Sequence, residues 1–234
     1  MKISVRTKHY TNENNPQLRG YATVKFDDDY VLEAVKIMER QDTKQLFVAL
    51  PSIMVRSKDS NGNFVIDNNG EYVKEFKEIF HPITADARKA LNSAIMNSFS
   101  NEDGTHTEVE LGTEKLAPTL ARMYETSANN ITGIGSVIFS DSFALENVQV
   151  KDGKNGEYFD SPKRKVRTDK KQSGYEYAEY FHPITAEAYN ELRNSIVDSL
   201  NAQRANNRNA AMQNVVQQQD DVLDMTGQNR GRGI

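Results

Sequence analysis

Apolar and polar residues alternate from Tyr21 to Phe26, with Ala22, Val24 and Phe26 on one side and Thr23 and Lys25 on the other. That period of two predicts a half-buried strand. Asp27-Asp28-Asp29 supplies a turn, and β-branched and aromatic residues resume from Tyr30 to Ile37, so the pair predicts a hairpin. Leu46 to Leu50 is a short apolar strand stopped by Pro51. A further strand is expected over Tyr72 to Phe80. The period then changes. Ala87, Leu91, Ala94, Ile95 and Phe99 make a stripe at helical spacing. Thr84 stands where an N-cap hydroxyl would accept free backbone N–H groups, and Asp86 suits the first turn.

The same grammar returns. Phe80-His81-Pro82-Ile83-Thr84-Ala85 recurs as Phe181-His182-Pro183-Ile184-Thr185-Ala186, 101 residues later. Gly20 to Glu33 matches Gly133 to Glu146 at an offset of 113, and Pro51 to Ser57 matches Pro162 to Thr168 at 111. The order is kept, and the changing offsets measure loop lengths. The first copy carries about ten extra residues around Asn61 to Asn69, rich in Gly, Asn and Asp. In the second copy Tyr158-Phe159 replaces the Leu46 strand, Tyr175 to Phe181 is the later strand, and Ala188, Leu192, Ile196 and Leu200 form the helix stripe behind Thr185 and Glu187. The expected fold is therefore α+β. It has two similar units, residues 1–100 and 120–201, each a small mainly antiparallel sheet with a C-terminal helix. Residues 101–119 read as a polar linker. Residues 202–234 read as a disordered Asn/Gln-rich tail, with a short helix around Asn209 to Asp224 as the alternative: twelve of the last 34 residues are Asn or Gln.

Composition narrows the function. Of 234 residues 37% are hydrophobic, the mean hydropathy is -0.71, and no apolar run reaches membrane-span length. The first ten residues lack the apolar segment of a secretion signal, which points to a cytoplasmic protein. The absence of cysteine excludes disulfides, thiolate nucleophiles and Cys-based metal sites. A net charge of -4 means that any contact with nucleic acid must come from a local patch.

One such patch exists. Residues 162–179 hold six positive and three negative side chains, net +3, against four and five, net -1, over 51–78. Lys163, Arg164, Lys165, Arg167, Lys170 and Lys171 make the run, with Arg56 as the equivalent of Arg167 in the first copy. Clustered Lys and Arg neutralise phosphates and release counterions. Tyr158, Phe159, Tyr175 and Tyr177 flank the run and offer stacking surfaces for unpaired bases. On composition alone, a solvated loop is the better reading of such a run.

Three strings carry a family likeness: Val24-Lys-Phe-Asp-Asp28, Leu46-Phe-Val-Ala-Leu-Pro51-Ser52, and Ile79-Phe-His81-Pro82-Ile83-Thr84. On these, both units resemble the SpoVG family of small bacterial septation regulators, also called stage V sporulation protein G. Copy two keeps His182-Pro183-Ile184-Thr185 but has Tyr158-Phe-Asp-Ser-Pro162 for the middle string. The resemblance implies a regulator that binds DNA or RNA and influences septation, sporulation and gene expression, without enzymatic activity. It also implies basic residues after the Pro-Ser string. Lys163-Arg164-Lys165 match that position, whereas Ser52-Ile53-Met54 do not. The usual member is a single unit that pairs as a homodimer, so the two linked units here are expected to pair within one chain.

Other candidates are weaker. His81 and His182 occupy equivalent places but have no second His or Cys at ligand spacing, and a structural role is expected. Asp27-Asp28-Asp29 becomes Ser140-Asp141-Ser142 in copy two, so a turn is favoured over a cation site. No phosphate loop, nucleophile elbow or HExxH motif is present, and Arg230-Gly231-Arg232-Gly233 is a single RGG-like end. Neither a cofactor, a catalytic residue, a metal ligand, a membrane contact nor a small-molecule substrate is expected. The rival function is a protein-interaction scaffold that uses the sheet edges and the tail.

Overall fold

The alternation at residues 21–26 is realised as a strand with one wet face: Ala22, Val24 and Phe26 are buried, and Tyr21, Thr23 and Lys25 are exposed. A computed structural model describes residues 1–112, 114–154, 156–169 and 173–228, with side chains to Gln213. In chain order, β1 (Lys2–His9), β2 (Leu18–Phe26), β3 (Tyr30–Glu39), β4 (Leu46–Ala49), β5 (Ser52–Arg56), β6 (Lys74–Glu78) and β7 (Phe80–Pro82) lead into α1 (Ala85–Phe99). Next come β8 (His106–Glu110), β9 (Pro118–Ala128), β10 (Ile131–Phe139), β11 (Phe143–Lys151), β12 (Tyr158–Asp160), β13 (Lys163–Arg167), β14 (Tyr175–Glu179), β15 (Phe181–Pro183) and α2 (Ala186–Gln228). The arrangement is α+β, with two antiparallel sheets each followed by a helix.

The turn between β2 and β3 places Asp27 and Asp28 at φ +51° and +59°, and Ser140 and Asp141 repeat it at +45° and +48°. This left-handed pair suits the twist of a hairpin, and Asp tolerates it better than most residues. The Asp27 carboxylate also accepts hydrogen bonds from the backbone N–H groups of Lys2 and Leu116, each at 2.6 Å.

The two units exchange short strands. β7 of the first unit pairs with β11 of the second, Phe80 opposite Leu145 and Pro82 opposite Phe143. β15 returns the exchange onto β3, Phe181 opposite Leu32 and Pro183 opposite Tyr30. The single strand expected over Tyr72 to Phe80 is thus two elements, β6 and β7, and the one over Tyr175 to Phe181 divides likewise. Bulges at equivalent places, with Ala34 and Asn147 both at φ +58°, interrupt β3 and β11 beside the exchanged strands. There Glu33 N–H donates to Tyr180 O and Glu146 N–H to Ile79 O, each at 2.7 Å.

One hydrophobic core results, shared by both units. Its centre is aromatic: Phe26 meets Phe143, Tyr30 meets Phe139, and Phe80 stacks on Phe143 as Phe181 stacks on Tyr30. The expected pairing of the units within one chain is therefore present. Both helix stripes lie in that core, and Thr84 and Thr185 cap their helices by accepting from Ala87 N–H and Ala188 N–H at 3.2 Å.

The expected linker carries more structure than its composition suggests. Inside the expected linker, β8 pairs with β1 and extends the first sheet. Past Asn201 the apolar stripe ends, and α2 runs on to Gln228. Arg204 holds this extension by donating to Glu157 at 2.6 and 3.0 Å. The Arg204 guanidinium holds the Glu157 carboxyl down at about 2. Arg230-Gly231-Arg232-Gly233 lies outside the described residues.

Candidate nucleic-acid interface

Two hairpins stand off the sheets as separate two-stranded arms, β5–β6 in the first unit and β13–β14 in the second. Strand parity sorts the basic run of the second arm. Lys163, Lys165 and Arg167 share one face, directly opposite Glu179, Tyr177 and Tyr175 respectively, while Arg164 and Val166 take the other. The Lys165 ammonium lies 4.0 Å from the centroid of the Tyr175 ring, and Tyr177 is 71% exposed. One face thus presents two cations and two phenol rings to solvent.

The other two described cations of the run are tied down. Arg164 donates to Glu33 of the first unit at 2.7 Å. Lys163 pairs with Asp160, which Lys151 also reaches at 2.6 Å, and lies 3.9 Å from Glu179. Burial alone lowers the Lys163 ammonium, but the Asp160 carboxylate outweighs it and holds the group above the ordinary lysine value. Burial raises Glu179. Lys170 and Lys171 lie outside the described residues.

The first arm has the same register and different chemistry. Met54 faces Phe76 where the second arm has Lys165 and Tyr177, and these two side chains are 57% and 72% exposed. Arg56 sits over Tyr72 at 4.1 Å and near Phe64 at 5.8 Å, both contributed by the extra residues of this copy or their border. Nothing in the local pattern announced that cation–π cluster; it needs the hairpin to fold back across Lys58–Phe64 and Ile66–Tyr72.

The roots of the arms also join the units. Lys77 reaches Glu146 at 3.2 Å, and His81 lies 3.7 Å from the same carboxylate. Glu146 raises the His81 imidazole above its ordinary value, and His81 in turn holds Glu146 below the usual carboxyl range. His182 packs at the equivalent place with Nδ1 buried and unpartnered. Among the described residues no group of three or more His, Cys, Asp or Glu is placed to hold a metal ion, and no helix is long and apolar enough to cross a membrane.

The duplicated arms and exchanged strands agree with a family match in two pieces: the SpoVG model matches residues 1–101 and 119–202. The chain belongs to the SpoVG family. SpoVG relatives include a protein of Borrelia hermsii, 31% identical over 109 residues, and one of Clostridium acetobutylicum, 32% identical over 109. These alignments take in 95% and 94% of the relatives but only 46% and 45% of this chain. A relative from Archaeoglobus fulgidus is 27% identical over 94 residues, covering 89% of its own length and 40% of this one. Each is named as a candidate septation protein. Less than half of this SpoVG chain therefore spans a relative nearly whole, in keeping with two linked units.

Proposed function

We propose that this chain is a nucleic-acid-binding regulator and that the second arm is its binding half. The observation that carries the reading is the shared face of Lys165, Arg167, Tyr175 and Tyr177. Its cations neutralise backbone phosphates, and its rings offer stacking platforms to unpaired bases. Lys163 and Arg164 contribute less directly, since each already holds a carboxylate. Arg56 contributes least, engaged with its own aromatic ring in an arm of net -1. Septation is the process implied by likeness to the named relatives, and control of sporulation or gene expression the one implied by the family resemblance.

A second reading rests on the exposed Met54–Phe76 pair, which suits a protein partner better than a phosphate chain. Fluorescence anisotropy with duplex DNA, single-stranded DNA and RNA over a salt series separates the two. Nucleic-acid binding predicts an affinity that falls steeply with salt. Absence of salt-dependent binding to all three at low ionic strength would leave the scaffold reading.

A further inference from the structure

A cavity of about 300 Å³ opens where the first arm's root meets the second arm's. Ile53 and Pro162 form apolar walls, while Asn147, Gln149, Asp160 and Ser161 supply polar groups. Two of these groups are at odds with the fold's own needs. Asn147 Nδ2 and Ser161 Oγ are buried with no hydrogen-bond partner, and Ser161 is only 3% exposed. A buried donor without a partner is destabilising, and an apolar residue of similar shape avoids that cost.

The first unit shows that the backbone does not require them. The register that sets Gln149 opposite Asp160 sets Lys36 opposite Ala49. By that correspondence Asn147, Asp160 and Ser161 stand where the first unit has Ala34, Ala49 and Leu50. Asparagine tolerates a left-handed backbone, but Ala34 adopts the same φ of +58°. Asp160 has its lysines, but the unpartnered Asn147 and Ser161 are not demanded by the backbone.

The chemistry of the cavity suits a planar, neutral, hydrogen-bonding ring. Lys151 and Lys163 face two carboxylates, Asp160 in the lining and Glu179 at 3.9 Å from Lys163, so the site offers no strong net field for a free phosphate. Carboxamides present donor and acceptor side by side, as base edges do. The volume is at the small end of ligand sites. Lys163 borders the cavity and begins the second arm, so Lys165 stands only about 7 Å further along the strand. We infer that this cavity takes one unpaired nucleobase of a strand whose phosphates lie along Lys165 and Arg167. The inference rests on the second arm being the nucleic-acid site.

The test uses the full chain and short RNA oligomers of each base, with an abasic oligomer of equal length and charge. Wild type is expected to bind at least one homopolymer about tenfold more tightly than the abasic chain. In the double variant Asn147→Ala, Ser161→Ala that preference falls to within about twofold, while abasic binding and the thermal midpoint do not fall. If wild type binds in a salt-dependent way without preferring any base over the abasic chain, the cavity assignment fails and the arm stands. A preference that survives in the double variant overturns it too. Should no oligomer bind, the arm reading fails, and the cavity is judged by NMR with the four nucleoside monophosphates. A shift of the Asn147 side-chain amide with one of them is expected, and no shift with any overturns the inference.

Discussion

Phe80 and Phe181, equivalent residues of the two units, stack on each other with centroids 4.0 Å apart and planes 9° from parallel. Contact between equivalent residues places the pseudo-twofold axis of the chain between these rings. Both are fully buried, each carried there by an exchanged strand. Phe80→Ala or Phe181→Ala is expected to cost about 3–5 kcal/mol. Because the core is shared, calorimetry should show one transition that moves as a whole in either variant. Two transitions, only one of them shifted, would mean that the units fold separately.

The strand exchange also fixes an expectation for assembly. Each unit finds within the chain the partner that a single-unit protein would seek in a second copy. Light scattering at low micromolar concentration should give the mass of one chain. A stable chain dimer at that concentration would count against pairing within the chain.

Glycine supplies a graded test of packing. A Cβ on Gly20 would meet the Lys8 carbonyl oxygen and Phe99 Cε2, both at 2.6 Å, whereas on Gly133 it would meet only the end of the Leu200 side chain, at 2.8 Å and beyond. Backbone yields less than a side-chain terminus. Gly20→Ala should cost about 1–3 kcal/mol and Gly133→Ala less. The reverse order in denaturant titrations would refute this account of the helix contacts.

Much of this was legible in advance. The alternation at Tyr21 to Phe26, the helix stripes and their caps were written locally, and the order of the repeat survived its loop changes. The exchange of β7 and β15 was not legible, because Phe-His-Pro is too short to show a period and its partner strand lies in the other unit. β8 hid in a polar segment whose only inward demand is to complete the edge of β1. At the site, the basic run was visible, but which cations are free was not. Parity along β13 sends Arg164 to Glu33, a residue 131 positions earlier, and leaves Lys165 and Arg167 with the tyrosines.

The pair of His81 and Glu146 gives a pH dependence with a definite sign. The folded His81 value is raised, so its contribution is full below the ordinary 6.5 and is lost as pH rises through the folded value. The folded Glu146 value is lowered, so its contribution is full above 4.5 and is lost as pH falls through the folded value. The pair therefore stabilises most between these limits. Thermal melts of wild type and His81→Gln should differ more at about pH 5.5 than at about pH 8.5. Equal differences at both would show that the ion pair contributes nothing to stability.

The most direct measurement of the proposed function is the salt slope of binding in arm variants. Each phosphate contact contributes about 0.7 to the slope of log K against log salt on a single strand and about 0.9 on duplex. Lys165→Ala with Arg167→Ala should flatten the single-strand slope by about 1.4, with little change in thermal midpoint, since solvated charges contribute little to folding. Arg56→Ala with Lys58→Ala should change it less. An unchanged slope in the second-arm variant would place the binding site elsewhere on the molecule.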